Sequence, residues 1–430
     1  MTKHTHPRRT YLATLVDGGG TVSPELGAVR RLTTRGHRVV VLAEDTMSAE
    51  VRAAGGEFAR WSQAPNRASR RPEDDPYRDW ECKNPKQLFE RLMERQFVGP
   101  AAAYAADTSR AVAEHRPEAV MSSIFAVGAM VAAQAERLPL AVLVPNVYPL
   151  PTAGLPPFGT GLPAARTPFG HAAHAVLRGL VERMFDRGLP HLNALRASHT
   201  LPPLRHFWDQ IRSADQQLVL TSRTFDLPAT HPDSVHYVGA VLDDPVWAEP
   251  WTPPAGEEPL VLVAMSSTYM EQQSSLQSVV DALSTLPVRG LVTTGPALDP
   301  DVLIPPANVT VVASAPHAQV LEHARAVVTH GGHGTVMKTL AAEVPMVVMP
   351  HGRDQKDNGV RVRARGAGLV LSRNASSRRI ATAVQRLLDD SSFTENARSL
   401  GAVVRRDAQT DDLLTMLEGL PRPAHSSQPV

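Results

Sequence analysis

The chain is poor in four things, and each shortage removes a class of function. Its 430 residues include one cysteine, Cys82. That thiol has no partner for an internal disulfide, and a multi-cysteine zinc or iron–sulfur site is excluded. Net charge is almost absent: 44 Lys and Arg stand against 43 Asp and Glu, a formal +1. No basic run stands out, so a nucleic-acid partner is not expected. Lysine is scarce, with five residues (Lys3, Lys83, Lys86, Lys338 and Lys356), so arginine carries most of the positive charge. Long apolar runs are missing as well. Residues 11–16 are too short for a signal-peptide core and lack a cleavage-site pattern. Residues 119–135 are interrupted by Ser122, Ser123 and Gln134, short of a spanning helix. The reading is a soluble, cytoplasmic chain without stable membrane insertion, a monomer or weak homodimer.

Proline, in contrast, is plentiful: 37 residues, about 9% against a usual ~5%. Long, stiffened loops follow. The length is about three typical single-domain lengths, so two compact domains are expected. Along the chain, short apolar strands alternate with helices. Strand 11–16 ends in Asp17-Gly18-Gly19-Gly20, and Ser23-Pro24-Glu25 then reads as an N-cap, first-turn proline and first-turn acid. Strands at 39–42, 57–61, 119–125 and 140–144 follow, with a long helix over 86–115. The second half restarts the rhythm with strands at 260–264, 290–294, 309–312, 326–329 and 345–349. Repeated βα units predict an α/β fold with two facing, Rossmann-like, doubly wound parallel sheets. We divide the chain into an N-terminal domain, 1–242, and a linker, 243–258, with Trp247, Trp251 and four prolines. A C-terminal domain, 259–406, and a last helix with a disordered tail, 407–430, complete it. Within the first domain, 145–198 is a proline- and glycine-rich insert of the kind that forms a binding loop.

In an open parallel sheet, ligands bind beyond the carboxyl ends of the strands. Two loops of the second half meet that condition. His330-Gly331-Gly332-His333-Gly334-Thr335 opens a helix expected at Thr335, and free N–H groups there suit a diphosphate. Pro350-His351-Gly352-Arg353-Asp354-Gln355 follows the next strand, with an acid and an amide suited to adjacent hydroxyls. A diphosphate cradle beside a hydroxyl-reading loop describes a nucleotide-sugar site. His330 and His333 lack a third ligand for a metal. Asp299-Pro300-Asp301 has the spacing of metal-dependent sugar transferases but reads as a solvated turn.

The segment from Ala315-Pro316-His317 through 328–335 and Val344-Pro345-Met346 to Asp354-Gln355 and Asn358 resembles the donor signature of family-one glycosyltransferases. These are two-domain enzymes of the GT-B fold, and the nearest likeness is to the bacterial branch that decorates macrolides and polyketides. The resemblance implies an inverting, metal-independent transfer from a UDP- or TDP-sugar to a small hydrophobic acceptor held by the first domain. It implies no cofactor, since the nucleotide sugar is a co-substrate. It places His330, Gly332, His333, Gly334 and Thr335 at the phosphates, bordered by Ser266, Ser267 and Thr268. Ala315 and His317 fall near the base, and Asp354 and Gln355 at the sugar.

The departures concern the nucleotide base and the acceptor proton. Plant relatives stack the base on a tryptophan where this chain has Ser314. Many members use a histidine in the first βα loop, oriented by an aspartate from a later strand. Here Thr21 stands at the histidine and Ser123 at the aspartate. A threonine cannot act as a base without activation. The substitutes within reach of the sequence are Asp17, at the end of the first strand, and His171 or His174 in the insert. An acidic acceptor that needs little help is a further possibility. The alternative class is a non-catalytic nucleotide-sugar-binding partner of another glycosyltransferase.

Overall fold

A computed structural model describes residues 7–244, 248–253 and 255–422. Seven parallel strands form the first sheet: β1 (Thr10–Thr14), β2 (Arg38–Ala43), β3 (Glu57–Arg60), β4 (Ala119–Ser123), β5 (Leu140–Val144), β6 (Gln216–Val219) and β7 (Val235–Tyr237). Their spatial order is β3-β2-β1-β4-β5-β6-β7. Six parallel strands form the second: β8 (Leu260–Ala264), β9 (Arg289–Thr293), β10 (Val309–Val312), β11 (Ala324–Thr329), β12 (Met346–Val348) and β13 (Gly368–Val370), in the order β10-β9-β8-β11-β12-β13. Both orders reverse beside the first strand of the sheet, between β1 and β4 and between β8 and β11. The central strands are apolar on both faces because helices cover both, so Val39–Leu42 and Leu260–Ala264 are wholly buried.

Several boundaries differ from expectation. The helix predicted over 86–115 is broken into Pro85–Leu92, a wider turn Met93–Phe97, and Ala101–His115. A Cβ on Gly99 would fall 1.7 Å from the Glu94 carbonyl oxygen, and Pro100 has no N–H to continue the ladder. The first helix is Val22–Thr34, with Thr21 rather than Ser23 at its cap. The last strand of the first sheet ends at Tyr237. The last helix, Asp412–Glu418, packs on the first domain: Leu413, Leu414 and Leu417 join the core around Leu26 and Val29, and Tyr11 Oη donates to the Leu417 carbonyl at 3.2 Å. Within the linker, Pro245, Trp247 and Pro254 lie outside the described residues, as does 423–430 of the tail. Trp251 packs against His323 of the second domain. Among the described residues no helix is long and apolar enough to cross a membrane.

Candidate active site

The two switch points face each other across one cleft. The cavity between them has a volume of about 1370 Å³ and is walled by both domains. Contact is close: Gly19, in the loop after β1, has φ +73°, and a Cβ there would lie 2.4 Å from Thr268 in the loop after β8. Of the expected donor residues, Ser267, Thr268, Ala315, His317, His330, Gly332, His333, Gly334, Thr335, Asp354 and Gln355 all line this cavity. Asp299 and Asp301 do not. Asp299 instead accepts from the Asp301 N–H and caps a short turn.

On the second domain, the chain leaves β11 through His330-Gly331-Gly332. The helix begins at His333 with Gly332 as its cap, two residues earlier than predicted. No side chain caps it, so its first N–H groups stay available to an anion. Gly331 has φ +92°, and a Cβ there would stand 2.6 Å from Val348. Burial pushes the His330 pKa down to about 3, with help from nearby His351. Burial likewise takes His333 and His317 to about 4. All three are therefore neutral at pH 7, donors or acceptors rather than cations. His317 Nε2 lies 3.1 Å from Thr293 Oγ1, while the His333 ring faces Phe225.

Sequence reasoning missed the cations here. Lys338, three residues beyond Thr335 on the same helix, pairs with Asp244 at 2.7 Å. Arg353, immediately before Asp354, pairs with Asp79 of the first domain at 2.9 Å and donates to Thr268 Oγ1 at 3.0 Å. The i,i+3 spacing from Thr335 was the available signal for Lys338. Asp354 is pushed up to about 6 by burial, against a 2.8 Å hydrogen bond from Asn358 Nδ2. Gln355 is partly committed: its Oε1 accepts from the His351 and Gly352 N–H groups at 2.7 and 3.0 Å, closing its own loop. Its role is thus to shape the loop as well as to face the cavity.

The first domain supplies an apolar chamber. Phe89, Phe97, Phe125, Met184, Phe185 and Trp208 line it, together with Trp80 from the loop over 65–85. Phe158 of the insert also lines it, and the backbone N–H groups of Gly159 and Gly161 donate to Asp357 of the second domain.

For the proton, two expectations are corrected. His171 and His174 do not line the cavity. They lie on the stripe of the helix Pro168–Phe185 that carries Arg178 and Val181, but about 10 and 6 Å further toward its N-terminus. Asp17 lines the cavity but is engaged: Arg70 Nε lies 2.7 Å from its Oδ2, which also accepts from Thr46 at 2.9 Å, while its Oδ1 accepts from the Gly19 N–H. Burial raises its pKa, but Arg70 and Arg67 outweigh that and hold it below the ordinary value. Its carboxylate is thus committed to Arg70, Thr46 and the Gly19 N–H. Thr21 lines the cavity; Ser123 does not, and is fully buried.

Two facing doubly wound domains that share one cleft define the GT-B fold of glycosyltransferases. Residues 277–418 match the model of the erythromycin biosynthesis protein CIII-like C-terminal domain. The chain is 31% identical over 337 residues to 4'-demethylrebeccamycin synthase of Lentzea aerocolonigenes, covering 75% of this chain and 79% of that one. Among solved structures, the calicheamicin glycosyltransferase CalG4 superposes with a TM-score of 0.73 at 25% identity, covering 94% and 95% of the two chains. The glycosyltransferase VinC, solved in complex with dTDP, superposes at 0.66 with 16% identity over 95% and 99%. The chain belongs to this family of natural-product glycosyltransferases and is an enzyme of sugar transfer.

Proposed function

We propose that the protein catalyses an inverting, metal-independent transfer of a sugar from a UDP- or TDP-linked donor to a hydroxyl of a hydrophobic natural product. One observation carries this reading: the uncapped helix start at His333 and the Asp354 loop share a single cavity with the aromatic chamber of the first domain. The N–H groups at 333–335 suit the diphosphate, and the neutral His330 adds a donor without charge. Asp354, the group best placed for adjacent sugar hydroxyls, positions the anomeric carbon toward the chamber. The acceptor oxygen attacks that carbon from the chamber side as the carbon–oxygen bond to the diphosphate breaks. The solved VinC–dTDP complex supports a nucleoside-diphosphate donor of this kind.

The test is a product assay with purified protein across UDP- and TDP-sugars and a panel of polyketide, macrolide and phenolic acceptors. The expected result is an O-glycoside of inverted anomeric configuration. Donor binding by calorimetry without transfer or hydrolysis anywhere in the panel would sink the catalytic reading in favour of a binding partner.

A further inference from the structure

We propose that the first domain builds the sugar end of the donor site: Asp79 and the turn Gly159-Thr160-Gly161 are positioning residues that hold Arg353 and Asp357 on either side of Asp354. The inference rests on the glycosyltransfer reading above. Asp354 caps the helix Gln355–Ala364, and the chain around it is gripped at two points by loops of the first domain. At the first point the Arg353 guanidinium crosses the cleft. Its Nε and Nη2 donate to the two Asp79 oxygens at 2.9 and 3.3 Å, and its Nη1 donates to Thr268 Oγ1 at 3.0 Å. A guanidinium held on both carboxylate oxygens is fixed in angle as well as in distance. Arg353 also takes φ +53°, a left-handed conformation that a residue with a side chain keeps only when its surroundings hold it there. Beside this contact Trp80 packs edge-on against Tyr269 of the second domain, with 5.2 Å between ring centres.

At the second point Asp357, buried in the first turn of the same helix, accepts one N–H on each oxygen. The donors are Gly159 at 2.5 Å and Gly161 at 2.9 Å. The turn is shaped for this approach. Thr160 Oγ1 donates to the Pro157 carbonyl at 2.6 Å, both glycines have positive φ (+82° and +67°), and a Cβ on Gly161 would lie 2.8 Å from that of Lys356. The anchors neighbour Trp80 and Phe158, which line the acceptor chamber. Arg353 and Asp357 bracket Asp354 within about one helical turn, so displacing either one re-aims the Asp354 carboxylate. The diphosphate cradle needs neither anchor, because residues 330–335 join β11 to its following helix inside the second domain. Loss of the contacts across the cleft therefore impairs sugar placement and leaves diphosphate binding in place. Asp79 and the glycine turn act through Arg353 and Asp357; Asp354 is the group that meets the sugar.

The experiment compares wild type with Asp79→Asn, Asp79→Glu, Gly161→Ala, Arg353→Gln and the double variant Asp79→Asn/Arg353→Gln. Two quantities are read: donor kcat/KM in the transfer assay above, and calorimetric affinity for free UDP and TDP. Asp79→Asn and Gly161→Ala should each lower donor kcat/KM about 10–100-fold, mostly through KM, while affinity for UDP and TDP stays within about twofold. Asp79→Glu should retain an intermediate kcat/KM. Arg353→Gln should match Asp79→Asn, and the double variant should fall less than about threefold further, because the two residues act as one unit. A donor kcat/KM within about threefold of wild type in either single variant overturns the role of that anchor and leaves glycosyltransfer standing. A matching loss of UDP and TDP affinity does the same, since it marks a merely structural contact. Losses that add in full in the double variant overturn the route through Arg353. If Gly161→Ala does not fold, Asp357→Asn takes its place in the same two measurements. Wild type that transfers from no donor overturns both readings.

Discussion

Asp354 shows how burial sets the working range of a single carboxyl. Its pKa of about 6 follows from desolvation, opposed by Asn358, and in the proposed function it must ionise to accept from two sugar hydroxyls. Below about pH 6 the protonated form accumulates, so the wild-type donor KM should climb as pH falls from 7 to 5. Asp354→Asn should abolish that dependence and lower kcat/KM for the donor about 10–100-fold, the scale of one hydrogen bond to a charged group. Initial rates across donor concentration and pH measure both. His330, His333 and His317 contribute no titration in that window, because burial holds them at about 3 to 4. The residue types at 330, 333 and 354 were legible in the sequence; their protonation states were not, because desolvation depends on what packs around them.

At the scale of the element, the turn between β11 and its helix depends on a conformation that only glycine adopts easily. Gly331→Ala would place a Cβ 2.6 Å from Val348 at φ +92°. It should lower stability by about 1–3 kcal/mol and weaken donor binding by shifting the N–H groups at 333–335. Denaturant unfolding and calorimetric titration with the free nucleoside diphosphate measure the two effects. The strands were readable, since runs such as Val39–Leu42 and Leu260–Ala264 must be apolar on both faces of a covered sheet. Helix limits were less so. Ser23 has the chemistry of a cap, yet the helix starts one residue before it, and Thr21 occupies the cap without bonding. The break at Gly99-Pro100 was visible as residues, but its placement depends on the close approach of the Glu94 carbonyl.

At the scale of the whole molecule, the domains are joined by polar groups that lie far apart in sequence. Arg361 donates through Nε and Nη2 to Asp226 Oδ1 at 2.9 and 2.6 Å, while Tyr237 Oη donates to Asp226 Oδ2 at 2.7 Å. Both partners are buried. Asp226→Ala strands the guanidinium in the interdomain contact and should cost about 3–5 kcal/mol. The check is denaturant unfolding, with donor and acceptor KM both raised if the cleft loosens. Burial raises the Asp226 pKa, but Arg361 outweighs it and holds it below the ordinary value. This contribution is therefore complete near neutrality and is lost as pH falls through the lowered pKa.

The sequence by itself determined the two βα repeats and the glycine-rich and polar loops at 330–335 and 350–358 that follow strands of the second sheet. These follow from local periodicity, glycine placement and residue type, all of which act over a few positions. The tertiary structure alone decided that Asp17 pairs with Arg70, that His171 and His174 stand outside the cavity, and that Asp226 is buried against Arg361. Pairing and desolvation are set by neighbours that the chain brings from 50 to 150 residues away, and no local pattern encodes them.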